Sequence, residues 1–191
     1  MTRIEKEKHQ KYRKVSQKIV VITGAPSSGK TTLINELNKK GYHCFDEISR
    51  AITLEAQKKG IDQLFLHQPL LFSDMLLEGR TNQLMEAQKL NEDIVFLDRG
   101  IPDILAYMDY VNETYPDSYI KSCQENRYHK VFLLPPWKEI YTTDDARYES
   151  YEEAEKIHHF LLETYQKFNY EVIIIPPGTV HERANFIFNH L

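Results

Sequence analysis

The chain has 191 residues, 41% of them hydrophobic and 27% charged. That mix and length fit one globular domain, at most with an insertion, and exclude disordered, collagen-like and coiled-coil chains. The formal net charge is −4, yet residues 1–18 carry +5, which leaves −9 on the remainder, and so acidic a body argues against non-specific nucleic-acid binding.

Residues 1–17 read as a basic N-terminal extension. It is either a solvated, partly helical tail or a contact for an anionic lipid surface or an acidic partner. It lacks the apolar core of a secretory signal, and no apolar run in the chain reaches the ~18 residues of a membrane span. Two cysteines, Cys44 and Cys123, are too few for a disulfide scaffold or a four-cysteine zinc site. They read as reduced structural thiols of a cytoplasmic chain. No internal repeat or low-complexity tract is visible.

Residues 18–23 (KIVVIT) form a β-branched apolar run, read as a buried strand. A helix over 32–40 stops at Gly41, and 42–45 form a second short strand. A helix over 47–59 ends at Gly60. Residues 69–90 carry Leu70, Leu71, Met75, Leu76, Leu84 and Met85 at helical spacing. A third strand over 93–97 ends at Asp98. Residues 102–111 read as a helix with Pro102 at its favoured early position, and 116–125 as another. The fourth strand, 129–134, is closed by Pro135-Pro136. Residues 137–150 are polar and charged, a loop or lid. A helix over 151–168 offers Ile157, Phe160, Leu161 and Tyr165 to a core. The fifth strand, 171–175, is closed by Pro176-Pro177-Gly178, and 180–191 form the last helix.

Strands alternating with helices imply an α/β fold with a parallel sheet covered on both faces and right-handed crossovers. Ligands in such sheets sit at the carboxyl ends of the strands. Residues 24–31, Asp46-Glu47, Asp98-Arg99-Gly100, the segment after Pro135 and the 176–180 loop should therefore share one edge.

Gly24-Ala25-Pro26-Ser27-Ser28-Gly29-Lys30-Thr31 fits G-x-x-x-x-G-K-[ST], with a strand before it and a helix after it. Glycines let the backbone close around phosphate oxygens, and the next helix turns its positive end toward the anion. Lys30 would reach the β/γ-phosphates, and the Thr31 hydroxyl would bind Mg²⁺. Asp98, at the end of an apolar strand, is the partner acid expected to hold that metal. Arg99 would grip a phosphate or the substrate with its guanidinium fork, or else form a surface salt bridge. Asp46 or Glu47 would orient or deprotonate an accepting hydroxyl, or else cap the following helix. Asp46, nearer the strand end, is preferred of the two. Arg147 would close over the triphosphate from the 137–150 segment, unless that segment is merely solvated. Trp137 reads as a packing anchor rather than a base-stacking platform. The eight histidines show no metal-ligand spacing, and His158-His159 read as surface or core fill.

Several stretches together resemble a family of small P-loop ATPases, AAA-type by label and kinase-like in sequence. They are the phosphate loop through Thr32, then Asp46-Glu47-Ile48-Ser49-Arg50, and Asp98-Arg99-Gly100-Ile101-Pro102-Asp103 with Ala106-Tyr107. Leu134-Pro135-Pro136-Trp137, Glu139-Ile140-Tyr141, Asp144, Arg147 and Glu182-Arg183-Ala184 complete the set. The likeness covers about residues 18–190. That family is similar in turn to the ribosylnicotinamide kinase domain of bifunctional NAD-biosynthesis proteins, and more distantly to deoxynucleoside and thymidylate kinases. The resemblance implies a P-loop NTPase three-layer sandwich with a five-stranded parallel sheet of order 2-3-1-4-5. It implies one kinase-like domain over 18–191, substrate-side helices near 47–91 and a lid near 137–150. It sets Asp98 and Arg99 at the metal and the substrate, Asp46 or Glu47 at the base, Arg147 in the lid, and Gly178 with Arg183 beside the nucleotide base. The arginine-finger signature and helical lid domain of AAA motors are missing, so a hexameric motor is not expected. The Asp-Arg-Gly triplet departs from the thymidylate kinase pattern.

The reading that follows is a Mg²⁺-dependent, ATP-binding kinase that phosphorylates a hydroxyl of a nucleoside-like small molecule. The alternative is a regulatory ATPase or GTPase switch with a protein or lipid partner. No N-K-x-D guanine signature is found, which favours adenine.

Overall fold

In a computed structural model of the protein, the described residues are 17–61, 64–141 and 150–191. Five strands form one sheet: β1 (Lys18–Gly24), β2 (His43–Phe45), β3 (Ile94–Asp98), β4 (Lys130–Leu134) and β5 (Val172–Ile174). All neighbours run parallel in the order β2-β3-β1-β4-β5. The helices are α1 (Lys30–Lys39), α2 (Ser49–Lys58), α3 (Leu64–His67), α4 (Pro69–Lys89), α5 (Pro102–Tyr110), α6 (Asp117–Glu125), α7 (Tyr151–Lys167) and α8 (Val180–Asn189). The fold is the α/β P-loop NTPase sandwich, with the strand order that the resemblance implies.

Strand β1 is buried on both faces, as its unbroken apolar run requires. Ile19 and Val21 join Leu76 and Leu84 of α4, Leu105 of α5 and Tyr165 of α7. Val20 and Ile22 turn the other way, onto Leu33 and Leu37 of α1 and Ala184 and Ile187 of α8. The period of two along the strand thus builds two cores at once. Helix α5 packs on α7, and α1 on α8.

Register fixes the functional edge. Ile22 pairs with Asp98, Gly24 with Leu134 and Phe45 with Leu97, so the strands end level with one another. The loops after β1, β2, β3 and β4 leave from the same side, as the sheet rule demands.

Most element ends fall within two residues of the sequence expectation. Helix α1 begins two residues earlier than expected, at Lys30, so the last residues of the phosphate loop already lie in its first turn. Helix α3 was not anticipated, because four residues are too short to show a 3.6-residue period. Phe160, expected in the core, is half-buried and packs at its margin. Helices α7 and α8 each start with a capping box, Ser150 with Glu153 and Thr179 with Glu182. Cys44 and Cys123 are free thiols, as expected. Among the described residues no helix is long and apolar enough to cross a membrane. The basic extension to residue 16 and Arg147 lie outside the described residues, so the arm and most of the expected lid stay as expectations.

Candidate functional site

Two residues of the phosphate loop have left-handed backbone, Ser27 (φ 57°) and Gly29 (φ 79°). Both bend the chain back on itself between β1 and α1. At Gly29 an added Cβ would stand 2.8 Å from Arg183 Nη1, and at Gly24 it would stand 2.8 Å from the Leu134 carbonyl oxygen. At Gly24 the clash is with backbone, and at Gly29 the left-handed φ strains any side chain. Gly29 also caps α1 without a side chain, and the first turn holds no acid. The free N–H groups and the positive end of the helix dipole are therefore left to an external anion. Ala25 is buried against Leu133 and Ala154, while Pro26 is half-buried. Ser28 is buried, and its Oγ has no hydrogen-bond partner among the described residues. Thr31 and Thr32 are exposed in the first turn of α1.

Lys30 reaches across the edge to ion-pair with Asp98 at the end of β3. Burial and the neighbouring Arg99 lower the Lys30 ammonium below its ordinary value, and Asp98 only partly restores it. Burial raises the Asp98 carboxyl, against the pull of Lys30 and Arg99. Burial thus works against the charge on each partner, and their mutual ion pair works for it.

Arg99 has φ 74°, an uncommon conformation for a side chain of this size. Its N–H donates to the Ile22 carbonyl at 3.0 Å, which ties the turn after β3 to β1. Its guanidinium forms an ion pair with Glu47 through Nε and a hydrogen bond to Asp103 Oδ1 through Nη1 at 3.1 Å. It also lies 5.3 Å from the centre of the Tyr107 ring.

Glu47 follows β2 and is clasped from both sides. Its Oε1 accepts from Ser49 N at 3.1 Å and from Arg80 Nη2 at 3.2 Å. Its Oε2 pairs with Arg99 Nε but completes no hydrogen bond. Burial alone would raise this carboxyl, yet Arg80, Arg99 and Lys30 outweigh it and hold it at about 2. A depressed carboxylate stabilises the fold above its unfolded value and loses that contribution as pH falls toward the folded one. The window runs from about pH 4.5 down to about pH 2 and is worth on the order of 3 kcal/mol. Chemical denaturation at pH 6 and pH 3 should show a larger loss for the wild-type protein than for Glu47→Gln.

The structure brings Lys30, Glu47, Asp98 and Arg99 together. Asp46 is exposed, and only its backbone carbonyl is engaged, by Gln83 Nε2 at 2.8 Å. On the far side of the loop, Arg183 is buried and donates to the Ser28 carbonyl at 3.1 Å. Its guanidinium lies 5.8 Å from the Trp137 ring, and its Nε has no partner. With Ser28, Trp137, Pro176 and Pro177 it lines a small hollow beside the phosphate loop. Gly178 is half-buried just beyond, near Glu182.

Two residues escaped the sequence reading. Arg80 is 4% exposed, bridges Glu47 to the Gly100 carbonyl at 2.9 Å, and comes from the middle of α4. The signal was its place: it interrupts the buried stripe between Leu76 and Leu84. Asp103, quoted in the Asp98–Asp103 stretch but given no role there, is wholly buried in the first turn of α5.

Fold, phosphate loop and strand order define a P-loop protein of the kinase-like type. A family described as "AAA domain" matches residues 19–183. The chain belongs to that family. No curated protein sequence matches it. Among solved structures it is similar to NadR protein in complex with NR, with TM-score 0.70, 19% identity and 93% of this chain covered. The chain spans about half of that protein, 50% of its length. Deoxyadenosine kinase from M. mycoides, with dCMP and dCDP bound, gives TM-score 0.66 at 18% identity, covering 90% of this chain and 97% of that one. Thymidylate kinase from Candida albicans gives 0.63 at 18%, covering 91% and 90%. These likenesses concern the fold.

Proposed function

We propose that the protein is a P-loop phosphotransferase that moves the γ-phosphoryl group of ATP to a hydroxyl of a nucleoside-like small molecule. The residues present suit a triphosphate and its metal: an unpartnered buried Ser28 Oγ, a Gly29 cradle with no room for a Cβ, and an uncapped helix start. Backbone N–H groups from Gly24 to Thr32 would hold the phosphates, Lys30 would supply a cation to the β/γ oxygens, and Thr31 with Asp98 would hold Mg²⁺. When bound, Mg²⁺ neutralises charge on the phosphates. Arg183 and Gly178 are assigned to the nucleotide base. We assign Arg147 to the lid over the phosphates, within a kinase-like domain over 18–191 that carries a basic arm at 1–17.

The observation that carries this reading is the Glu47 carboxylate, clasped by Arg80 and Arg99 next to Lys30 and Asp98. A carboxylate held near 2 is a poor proton acceptor, so Glu47 orients the hydroxyl rather than stripping it. Its Oε2, short of a hydrogen bond among the described residues, is the oxygen that would accept a hydrogen bond from the acceptor hydroxyl. Both arginines are already engaged by Glu47, Asp103 and the Gly100 carbonyl. The acceptor they suit is therefore a hydroxyl without a phosphate of its own.

Nucleotide consumption with Mg²⁺ tests this, with and without nucleosides, nicotinamide riboside and nucleoside monophosphates. Turnover should appear with one nucleoside-like acceptor, not with monophosphates, and should drop by roughly 10²-fold or more in Lys30→Ala. Tight nucleotide binding with slow hydrolysis that no acceptor stimulates would replace the kinase by the regulatory switch, with the basic arm as its protein or lipid contact.

A further inference from the structure

Beside the clasp lies a second carboxylate to which phosphoryl transfer gives no task. Asp103 is 0% exposed. Its Oδ1 accepts from the Thr23 hydroxyl and from Arg99 Nη1, and its Oδ2 accepts from Gly100 N at 3.1 Å and from the Tyr165 hydroxyl. A carboxylate shut away from water costs several kcal/mol unless its lone pairs are filled. Here four donors fill them. They come from the stem of the phosphate loop, the turn after β3, the Arg99 side chain and α7.

The contacts around this junction leave little slack. Tyr165 is itself fully buried, and a Cβ at Gly100 would stand 2.7 Å from its hydroxyl oxygen. Tyr128, packed on the same glycine, accepts from Ile101 N at 3.0 Å. Arg99 is the member with freedom to lose. Its left-handed backbone is an uncommon conformation for a side chain of this size. Among the described residues its guanidinium is held by ion pairs to Glu47 and to Asp103, with the Tyr107 face alongside. Release of the Asp103 end leaves the fork free to turn about its bond to Glu47.

We infer that Asp103 and Tyr165 are the positioning pair of the acceptor site. Tyr165 locks the Asp103 carboxylate, Asp103 locks the Arg99 fork, and the fork sets the Glu47 oxygen that receives the acceptor hydroxyl. The inference rests on Glu47 as the acceptor's anchor.

The test uses the full chain and the variants Tyr165→Phe, which removes one hydroxyl and no charge, and Asp103→Asn. One readout is the Arg99 Nε–H signal in nitrogen-15 NMR, assigned by its loss in Arg99→Lys. Its hydrogen exchange should quicken roughly 10- to 100-fold in both variants, the scale of one hydrogen bond to a charged group. The other readout is kinetic. The acceptor KM should rise by a similar factor, with the KM for Mg-ATP changed less than about threefold. An unchanged Arg99 signal in folded Tyr165→Phe overturns the pair, as does a parallel rise in both KM values. If Asp103→Asn does not fold, Tyr165→Phe decides alone. If the wild-type protein shows no acceptor-dependent turnover while the Arg99 signal responds, the pair stands as a lock on Arg99 and the kinase reading falls.

Discussion

Glu47→Gln is expected to lower acceptor-dependent kcat/KM by roughly 10²–10³-fold, with nucleotide affinity changed less than about threefold. Glutamine keeps the shape and one carbonyl oxygen. It loses the charge that Arg80 and Arg99 grip, and its NH₂ group would turn a donor toward one of two guanidinium groups. Both the aim and the electrostatics of the acceptor's partner therefore fail together. The phosphate half of the site, built on β1, α1 and Asp98, keeps its own contacts. Asp46→Asn, at an exposed side chain one residue away, should stay within about twofold of wild type. Steady-state kinetics on the two variants checks both statements at once. The opposite pattern would move the acceptor's anchor to Asp46.

Arg80→Leu is expected to cost about 3–5 kcal/mol of stability, the range for breaking a buried ion pair from one side. Arg80 is almost wholly enclosed, and its loss strands the Gly100 carbonyl and takes one of the two guanidinium groups from Glu47. In a chain of 191 residues that corresponds to a melting temperature lower by roughly 6–20 °C. The double variant Arg80→Leu with Glu47→Leu should lose less than the sum of the two singles, because the Arg80–Glu47 pair is then removed from both sides while Arg99 keeps Asp103. Denaturant melts of the singles and the double give the coupling directly. Equal losses in the double and in the sum of singles would show that the pair contributes nothing beyond its parts.

The parts of the site that sequence revealed are local in the chain. The phosphate loop declares itself because strand, turn and helix follow one another within a few residues, and the glycine at 29 answers a local backbone need. The parallel sheet was legible because each strand is a short apolar run closed by a turn signal. The choice between Asp46 and Glu47 was not legible. The two are neighbours, and what separates them is Arg80, which arrives from α4, 33 residues further on. Asp103 was hidden for the same reason, since its partners Thr23 and Tyr165 stand 80 and 62 residues away. A charged residue in the middle of an apolar helical stripe, as Arg80 is between Leu76 and Leu84, is the pattern that would have betrayed the clasp.

The sheet ends at β2 on one side and at β5 on the other, and each is three residues long. An exposed margin of that length presents too few free N–H and C=O groups to template a foreign strand. Beyond β5 the chain runs into Pro176 and Pro177, which have no N–H to offer at all. A fully parallel sheet, whose long-range pairings form late, is thereby kept from growing sideways into aggregates while it folds.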